Sequence, residues 1–266
     1  MKYPAKFFLA ASAVLFFFSC SQTEQPKGFI KYEMRRFEKA LGDTSAKSTG
    51  YAKIKLVYPE IKEAVNTGIL DALNSYVKNQ ILTAIFEEGR YKQPEFLVNA
   101  FIKEYDDYVK DATEASRIWT LERKVDVVFI TDRIACFRFF ETSFLGGAHP
   151  NSNYFFTVYD LATGGKLKAK DVFVEEYKEK LTAIAEKKFR EIRGLKGNDS
   201  LNSAGFQFPG GKFALNDNFG FLKEGIVFFY NPYEIAPYAA GETNLIIPYN
   251  EVKDLILPAF LPPAQK

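Results

Sequence analysis

The chain has 266 residues, of which 35 are basic and 33 acidic, with one histidine and two cysteines. The two surplus lysines, Lys2 and Lys6, lie in the first nineteen residues, so the remainder carries 33 charges of each sign. With no net positive field, and no Lys/Arg stripe interleaved with aromatics, nucleic acid is not an expected partner.

Lys2 and Lys6 precede an uncharged run over residues 7–18. The run is too short to span a bilayer, which takes about 20 apolar residues, but it suits the apolar core of an export signal. It ends in Phe17-Phe18-Ser19-Cys20, followed by polar residues. A small residue and then cysteine at this point resembles the lipidation box of bacterial lipoproteins, with Cys20 as the acylated N-terminus. The alternative is an ordinary cleaved signal followed by a cysteine. Several acyl chains on Cys20 would make a stable membrane anchor. Cys136 is then left alone, so no internal disulfide is expected. It stands in the strand-like run Ile134-Ala-Cys-Phe-Arg-Phe-Phe140, where a small buried hydrophobe is expected. Stability must come from packing, for which 27 Phe and 15 Tyr supply large apolar contacts.

After a polar tether, residues 29–37 and 51–58 read as strands, the second ended by Pro59, with a loop over 42–50. From Ile61 the apolar period becomes helical, through Val65, Ile69, Leu73, Val77, Ile81 and Ile85 to about Glu87. Pro94 opens a second helix, with Leu97, Ala100, Phe101, Tyr105 and Tyr108 on its apolar stripe. Strands follow at 119–131, 134–144 and 153–159. The first two are joined by a hairpin turn and the last two by GGAHPNS. A third helix covers about 174–192, with Tyr177, Leu181, Ile184, Ala185 and Ile192 inward and Glu186/Arg190 paired on its wet side. Strands at 219–230 and 243–247, a short helix over 249–256 and a Pro-rich, fraying end complete the chain. The expected fold is α+β, with mostly antiparallel sheets packed against three main helices.

Enzyme templates find little purchase. There is no HExxH, no CxxC and no histidine pair, so a zinc site would lack its usual ligands; a carboxylate-rich hard-cation site is the alternative left open, though no metal-ligating residue is assigned. Asn216-Asp217-Asn218 lacks the glycine and distal glutamate of a calcium loop and reads as a turn. Gly-x-Ser-x-Gly and phosphate-binding glycine loops are missing. A triad of Ser143 or Ser152 with His149 and Asp160 fits no known spacing, and a carboxylate pair for glycan hydrolysis is not a pattern that spacing can show. No cofactor is implied. Two stretches stand out. In Phe144-Leu-Gly-Gly-Ala-His-Pro-Asn-Ser-Asn153 the glycines permit positive φ, and Pro150 biases His149 to an extended backbone. In Phe228-Phe-Tyr-Asn-Pro-Tyr-Glu-Ile-Ala-Pro-Tyr-Ala-Ala-Gly241 the prolines stiffen a loop and interrupt any strand ladder. Tyr230, Tyr233 and Tyr238 therefore cannot all be core. Tyr233 and Tyr238, with Glu234 and His149, are the candidate binding residues, and no residue is assigned a catalytic role. His149 either fixes its turn by bonding backbone or contacts a ligand.

Several of these segments, in order, are similar to the RsiV-like extracytoplasmic domain, a domain of unknown function: GGAHPN at 146–151, TVYDLATG at 157–164, Asp171-Val-Phe173, NPYEIAPYAAG at 231–241 and Ile247-Pro-Tyr249. Residues 51–144 resemble the partner domain that usually precedes it. Such domains occur in a membrane anti-sigma factor that binds lysozyme, beside polysaccharide deacetylase domains, and alone in envelope lipoproteins. This chain shows no sigma-binding segment, transmembrane helix or deacetylase catalytic domain, so sigma-factor control does not carry over. The expected organisation is a signal at 1–19, a tether at 20–27, an N-terminal partner domain at 28–145, an RsiV-like domain at 146–257 and a tail at 258–266. The expected function is a non-enzymatic envelope lipoprotein, membrane-anchored and periplasmic, that binds a cell-wall component such as peptidoglycan or a protein partner. A glycan or peptidoglycan hydrolase is the alternative.

Overall fold

A computed structural model describes residues 30–45, 50–111 and 118–262. The signal, Cys20 and the tether lie outside the described residues, as does the chain beyond Pro262.

The elements in chain order are β1 (Lys31–Gly42), β2 (Tyr51–Glu63), α1 (Thr67–Leu82), α2 (Pro94–Asp111), β3 (Ile118–Ile130), β4 (Ile134–Phe144), β5 (Asn151–Asp160), β6 (Lys166–Leu167), α3 (Ala169–Val172), α4 (Tyr177–Arg193), β7 (Phe219–Phe221), β8 (Gly225–Tyr230), β9 (Thr243–Pro248) and α5 (Tyr249–Val252). Strands β1 to β6 form one sheet in sequence order and β7 to β9 a second. Every neighbouring pair is antiparallel except β2 and β3. A parallel pair needs a long crossover, and α1 with α2 makes it. The fold is α+β with mostly antiparallel sheets, as the pattern of periods implies.

Strand β4 shows how the layers stack. Its alternate residues enter different cores: Ala135 and Phe137 join Leu56, Leu73, Phe101 and Leu121 under α1 and α2, while Ile134 and Cys136 join Phe189, Phe221, Phe228 and Ile247 under α4 and the second sheet. That is why IACF is apolar throughout. Strand β5 continues the first sheet beyond residue 145, so the two cores divide at a sheet face and not at a point in the chain. The approach of the second sheet is close. A Cβ on Gly220 would stand 2.6 Å from Phe156 Cδ1 and 2.9 Å from Cys136 Sγ, and Phe221 N–H donates to Cys136 Sγ at 3.3 Å. Burial pushes the Cys136 thiol up to about 12.

Side-chain amides finish the strand edges. Beyond its pairing with β6, the outer edge of β5 is laddered to no strand. Asn231 accepts from Tyr154 N at 2.7 Å and donates to Tyr154 O at 3.0 Å. Asn218 accepts from Phe156 N at 2.8 Å and donates to Tyr154 O at 2.8 Å and to Phe229 O at 3.0 Å. At the end of β2, Asn74 of α1 treats Ile61 in the same way, at 3.0 and 2.9 Å. Another buried polar group, Arg123, donates to the Ile81 and Thr83 carbonyls at the end of α1 and to Glu141, satisfying carbonyls that a helix end leaves orphaned.

Several boundaries differ from the sequence reading. Strand β2 runs through Pro59 to Glu63, and α1 begins at Thr67 and stops at Leu82. Pro59 is two residues before Ile61, on the strand side that Asn74 serves, so its missing N–H removes no ladder bond. Helix α1 starts where Asn66 Oδ1 accepts from Ile69 N at 3.0 Å, a capping bond, and Val65 before it is exposed. In α4 the inward position belongs to Phe189, whereas Ile192 is 46% exposed. The run at 219–230 is a hairpin, turned at Leu222, whose N–H bonds Gly225 O at 2.9 Å. The end of the chain does not fray before Pro262, since Phe260 is buried beneath the Arg133 guanidinium, 5.3 Å from its ring centre.

Two outcomes follow from this packing. Asn218→Ala and Asn231→Ala should each lower the unfolding free energy by about 1–3 kcal/mol, read by urea titration. Each single variant leaves Tyr154 O one donor, so the double variant should cost more than the sum; plain additivity would show that the shared carbonyl does not matter. Cys136 should resist a thiol reagent in the native protein and react at the rate of unfolding; rapid native labelling would contradict its burial.

Candidate functional site

The hairpin between β4 and β5 is a glycine turn: Gly146 has φ +82°, accessible to glycine at little cost. It carries His149 outward at one end of the first sheet. The loop after β8 meets it there. His149 Nδ1 is 3.0 Å from Pro150 O, and Nε2 is 3.0 Å from the Tyr233 hydroxyl. A carbonyl only accepts, so Nδ1 carries a proton, and in the neutral imidazole the Tyr233 hydroxyl donates to Nε2. The imidazole stacks on Tyr238, with centres 3.8 Å apart and planes 12° from parallel, and the two tyrosine rings are 5.6 Å apart. Three of the four candidate binding residues thus converge in one aromatic cluster, with His149 and Tyr233 exposed and Tyr238 half-buried.

The supporting shell is polar and closed on itself. Glu234 accepts from Asn231 N at 2.8 Å with one oxygen and from Asn216 Nδ2 at 2.6 Å with the other. It lies beside the cluster, but both its oxygens hold the loop. Asn231 in turn grips Tyr154, and Tyr230, fully buried, donates to Ala214 O at 2.7 Å. The far end of the loop is held by Arg193, which donates to Ala240 O at 3.1 Å, Glu242 O at 2.9 Å and the Thr243 hydroxyl. The sequence reading takes Asn216 and Asn218 as a turn and Asn231 as part of a stiff loop, and misses that all three clamp other segments. The available signal was asparagine repeated where a turn meets a buried strand, since a buried amide demands partners. Held at both ends, Tyr233 is 62% exposed with φ +68°. A bulky residue in the left-handed region is strained, and such strain gathers at functional positions.

The imagined triad does not form. Asp160, at the opposite end of β5 from His149, pairs with Arg133 at 2.9 Å. Ser152 donates to the Thr142 hydroxyl at 2.8 Å. Asn216 and Asn218 act as backbone clamps, and among the described residues no three His, Cys, Asp or Glu side chains gather as a metal set. Three clefts, of about 910, 240 and 320 Å³, lie away from the aromatic cluster, and each is lined by one acidic residue, Asp132 in the first and Asp217 in the others. Among the described residues no helix is long and apolar enough to cross a membrane.

Comparison with known proteins places this geometry in context. The chain carries two family-model matches, neither covering half of it: residues 45–152 match a family described as Deacetylase PdaC, and residues 170–250 match one described as Protein of unknown function (DUF3298). Its fold is that of two crystal structures of DUF3298 family proteins. The one from Bacteroides fragilis is 24% identical with a TM-score of 0.66, over 88% of this chain and 96% of that one. The one from Pseudomonas aeruginosa is 17% identical with a TM-score of 0.59, over 90% of this chain and all of that one. No curated protein matches. His149 falls within the PdaC-like segment, and Tyr233 and Tyr238 within the DUF3298 segment, so the cluster is assembled from both.

The strain at Tyr233 has a direct test. Glycine takes this φ freely, so Tyr233→Gly should be more stable than Tyr233→Ala by about 1 kcal/mol in denaturant titration. Equal stabilities would mean that the backbone relaxes and stores nothing.

Proposed function

We propose that the protein is an exported, lipid-anchored protein of the bacterial envelope that binds a cell-wall component or a protein partner without catalysing a reaction, and that His149, Tyr233 and Tyr238 are its contact surface. The observation that carries this reading is the Tyr233 ring, exposed and held in a strained backbone beside a stacked His–Tyr pair. Tyrosine offers much contact area for few rotors to immobilise, and a ring already fixed loses little entropy on binding. Flat aromatic faces suit sugar rings as well as protein grooves. The order of motifs at 146–164 and 231–249, similar to the RsiV-like extracytoplasmic domain, supports an envelope location. Ser19-Cys20 after the apolar run at 7–18 supports lipidation. The rival, a glycan hydrolase, calls for two carboxylates across a cleft, and none of the three clefts supplies a pair.

Binding to purified peptidoglycan and to envelope proteins tests recognition. Tyr233→Ala and Tyr238→Ala should each weaken binding by about fivefold or more, equivalent to roughly 1 kcal/mol, while circular dichroism shows a folded protein. Normal binding by both variants would move the recognition surface elsewhere. Cys20→Ala should shift the protein from the membrane to the soluble fraction of cells; a wild type already soluble after export would end the anchoring claim.

A further inference from the structure

The end of the six-stranded sheet opposite His149 carries exposed apolar side chains among its charged ones, and the chain enters there. Lys31 of β1 lies across from Glu63, so Ile30 stands beside the end of β2. The ends of β3 and β5 and the start of β4 lie at the same end, as their registers require. Here Val65, Ile130 and Leu261 are exposed and line a cleft of about 910 Å³, with Leu161 and Pro258. Tyr32 and Met34 at the start of β1 are exposed as well. Three pairs neutralise much of the charge at this end, Lys31 with Glu63 at 2.9 Å, Lys62 with Glu60 at 2.9 Å, and Arg133 with Asp160 at 2.9 Å, leaving the exposed Asp132 at the cleft. A surface with apolar side chains and little net field has its natural partner in an apolar layer. We propose that this end docks on the phospholipid bilayer, setting Val65, Ile130 and Leu261 into the headgroup region and pointing the aromatic cluster away from the membrane.

The inference rests on the anchoring reading for its choice of occupant. Cys20 precedes Ile30 by ten residues, a reach of at most about 35 Å when extended and about 18 Å as a flexible coil. The end of the molecule that such an anchor brings to the bilayer first is this one. Strand β4 has 11 residues, which at about 3.4 Å each set the two ends of the sheet roughly 35 Å apart. The base can therefore sit in the interface while the His149 loop stands clear of it.

Depth-dependent quenching tests the docking on the lipidated protein in phosphatidylethanolamine/phosphatidylglycerol vesicles. Ile130→Cys and Ala148→Cys take a polarity-sensitive fluorophore at the base and at the far loop, while Cys136 is buried and silent. Brominated lipids should quench the base probe at least fivefold more than the loop probe; equal quenching overturns the proposal. A chain beginning at Ser21 keeps every described residue; without the anchor it should sediment with the same vesicles only at high lipid concentration and be released on dilution, as cell lysis dilutes it. Val65→Glu combined with Leu261→Glu, at exposed positions that leave the fold intact by circular dichroism, should reduce that binding about fivefold or more. Unchanged binding by the double variant also overturns the docking. If wild type proves soluble in cells while the Ser21 chain still binds vesicles through these residues, anchoring fails and docking stands.

Discussion

Tyr154 is where the two halves of the molecule are joined by hydrogen bonds. Its amide and carbonyl face outward from β5, an edge that in an open sheet would invite another strand. They are answered by the amides of Asn231 and Asn218, which follow β8 and precede β7. A side-chain amide presents a donor and an acceptor at the spacing of a peptide group, so each asparagine serves as one residue of a missing strand. The geometry is directional where the apolar packing around it is not. Hydrophobic contact between Cys136, Phe156 and Gly220 would tolerate some sliding of the second sheet over the first; the amide clamps fix its register.

That register in turn builds the surface. Asn231 both grips Tyr154 and gives its backbone N–H to Glu234, so the position of the second sheet is passed directly to the loop bearing Tyr233 and Tyr238. The His149 turn is set independently by β4 and β5. The two meet with the imidazole stacked on one tyrosine and bonded to the other. A rigid polar shell supporting exposed rings is the arrangement expected of a preorganised contact surface. It also explains how a bulky residue can keep a left-handed backbone: the loop is over-determined at Asn231, Glu234 and Arg193, and Tyr233 absorbs what remains.

Legibility in the sequence followed the reach of the signals. Helices α2 and α4 declared themselves through apolar spacing and, for α2, through Pro94. Strands β3, β4 and β5 were visible as aromatic runs with turn residues between them. The errors arose where a tertiary partner overruled a local pattern. Ile61 fits the helical period of Ile69 and Leu73, yet Asn74 holds its backbone as strand. Pro59 looks like a strand stop, but it falls at an edge position where its missing N–H is harmless. Ile192 fits the inward face of α4 by period, while Phe189 takes the core. At the site, the residue types that bear rings were legible because the glycines and prolines clustered around them are informative. The asparagines were not, because a clamp and a turn asparagine look alike until the partner strand is known.

The six-stranded sheet separates its two unusual surfaces by the length of its strands. At one end the chain enters among neutralised ion pairs and exposed aliphatic side chains; at the other a glycine turn and a clamped loop present His149, Tyr233 and Tyr238. The exposed side chains of both surfaces, Val65, Ile130 and Leu261 at one end and Tyr233 at the other, add little burial to stability. Exposed large hydrophobics at chain entry cost solubility, and Tyr233 costs backbone strain. Features that carry a cost with no return in packing call for an account outside folding. On the proposed reading, with the base docked and the aromatic cluster the contact surface, a sheet that holds the two about a strand's length apart is suited to work as a spacer, keeping the cluster at a fixed height above the base.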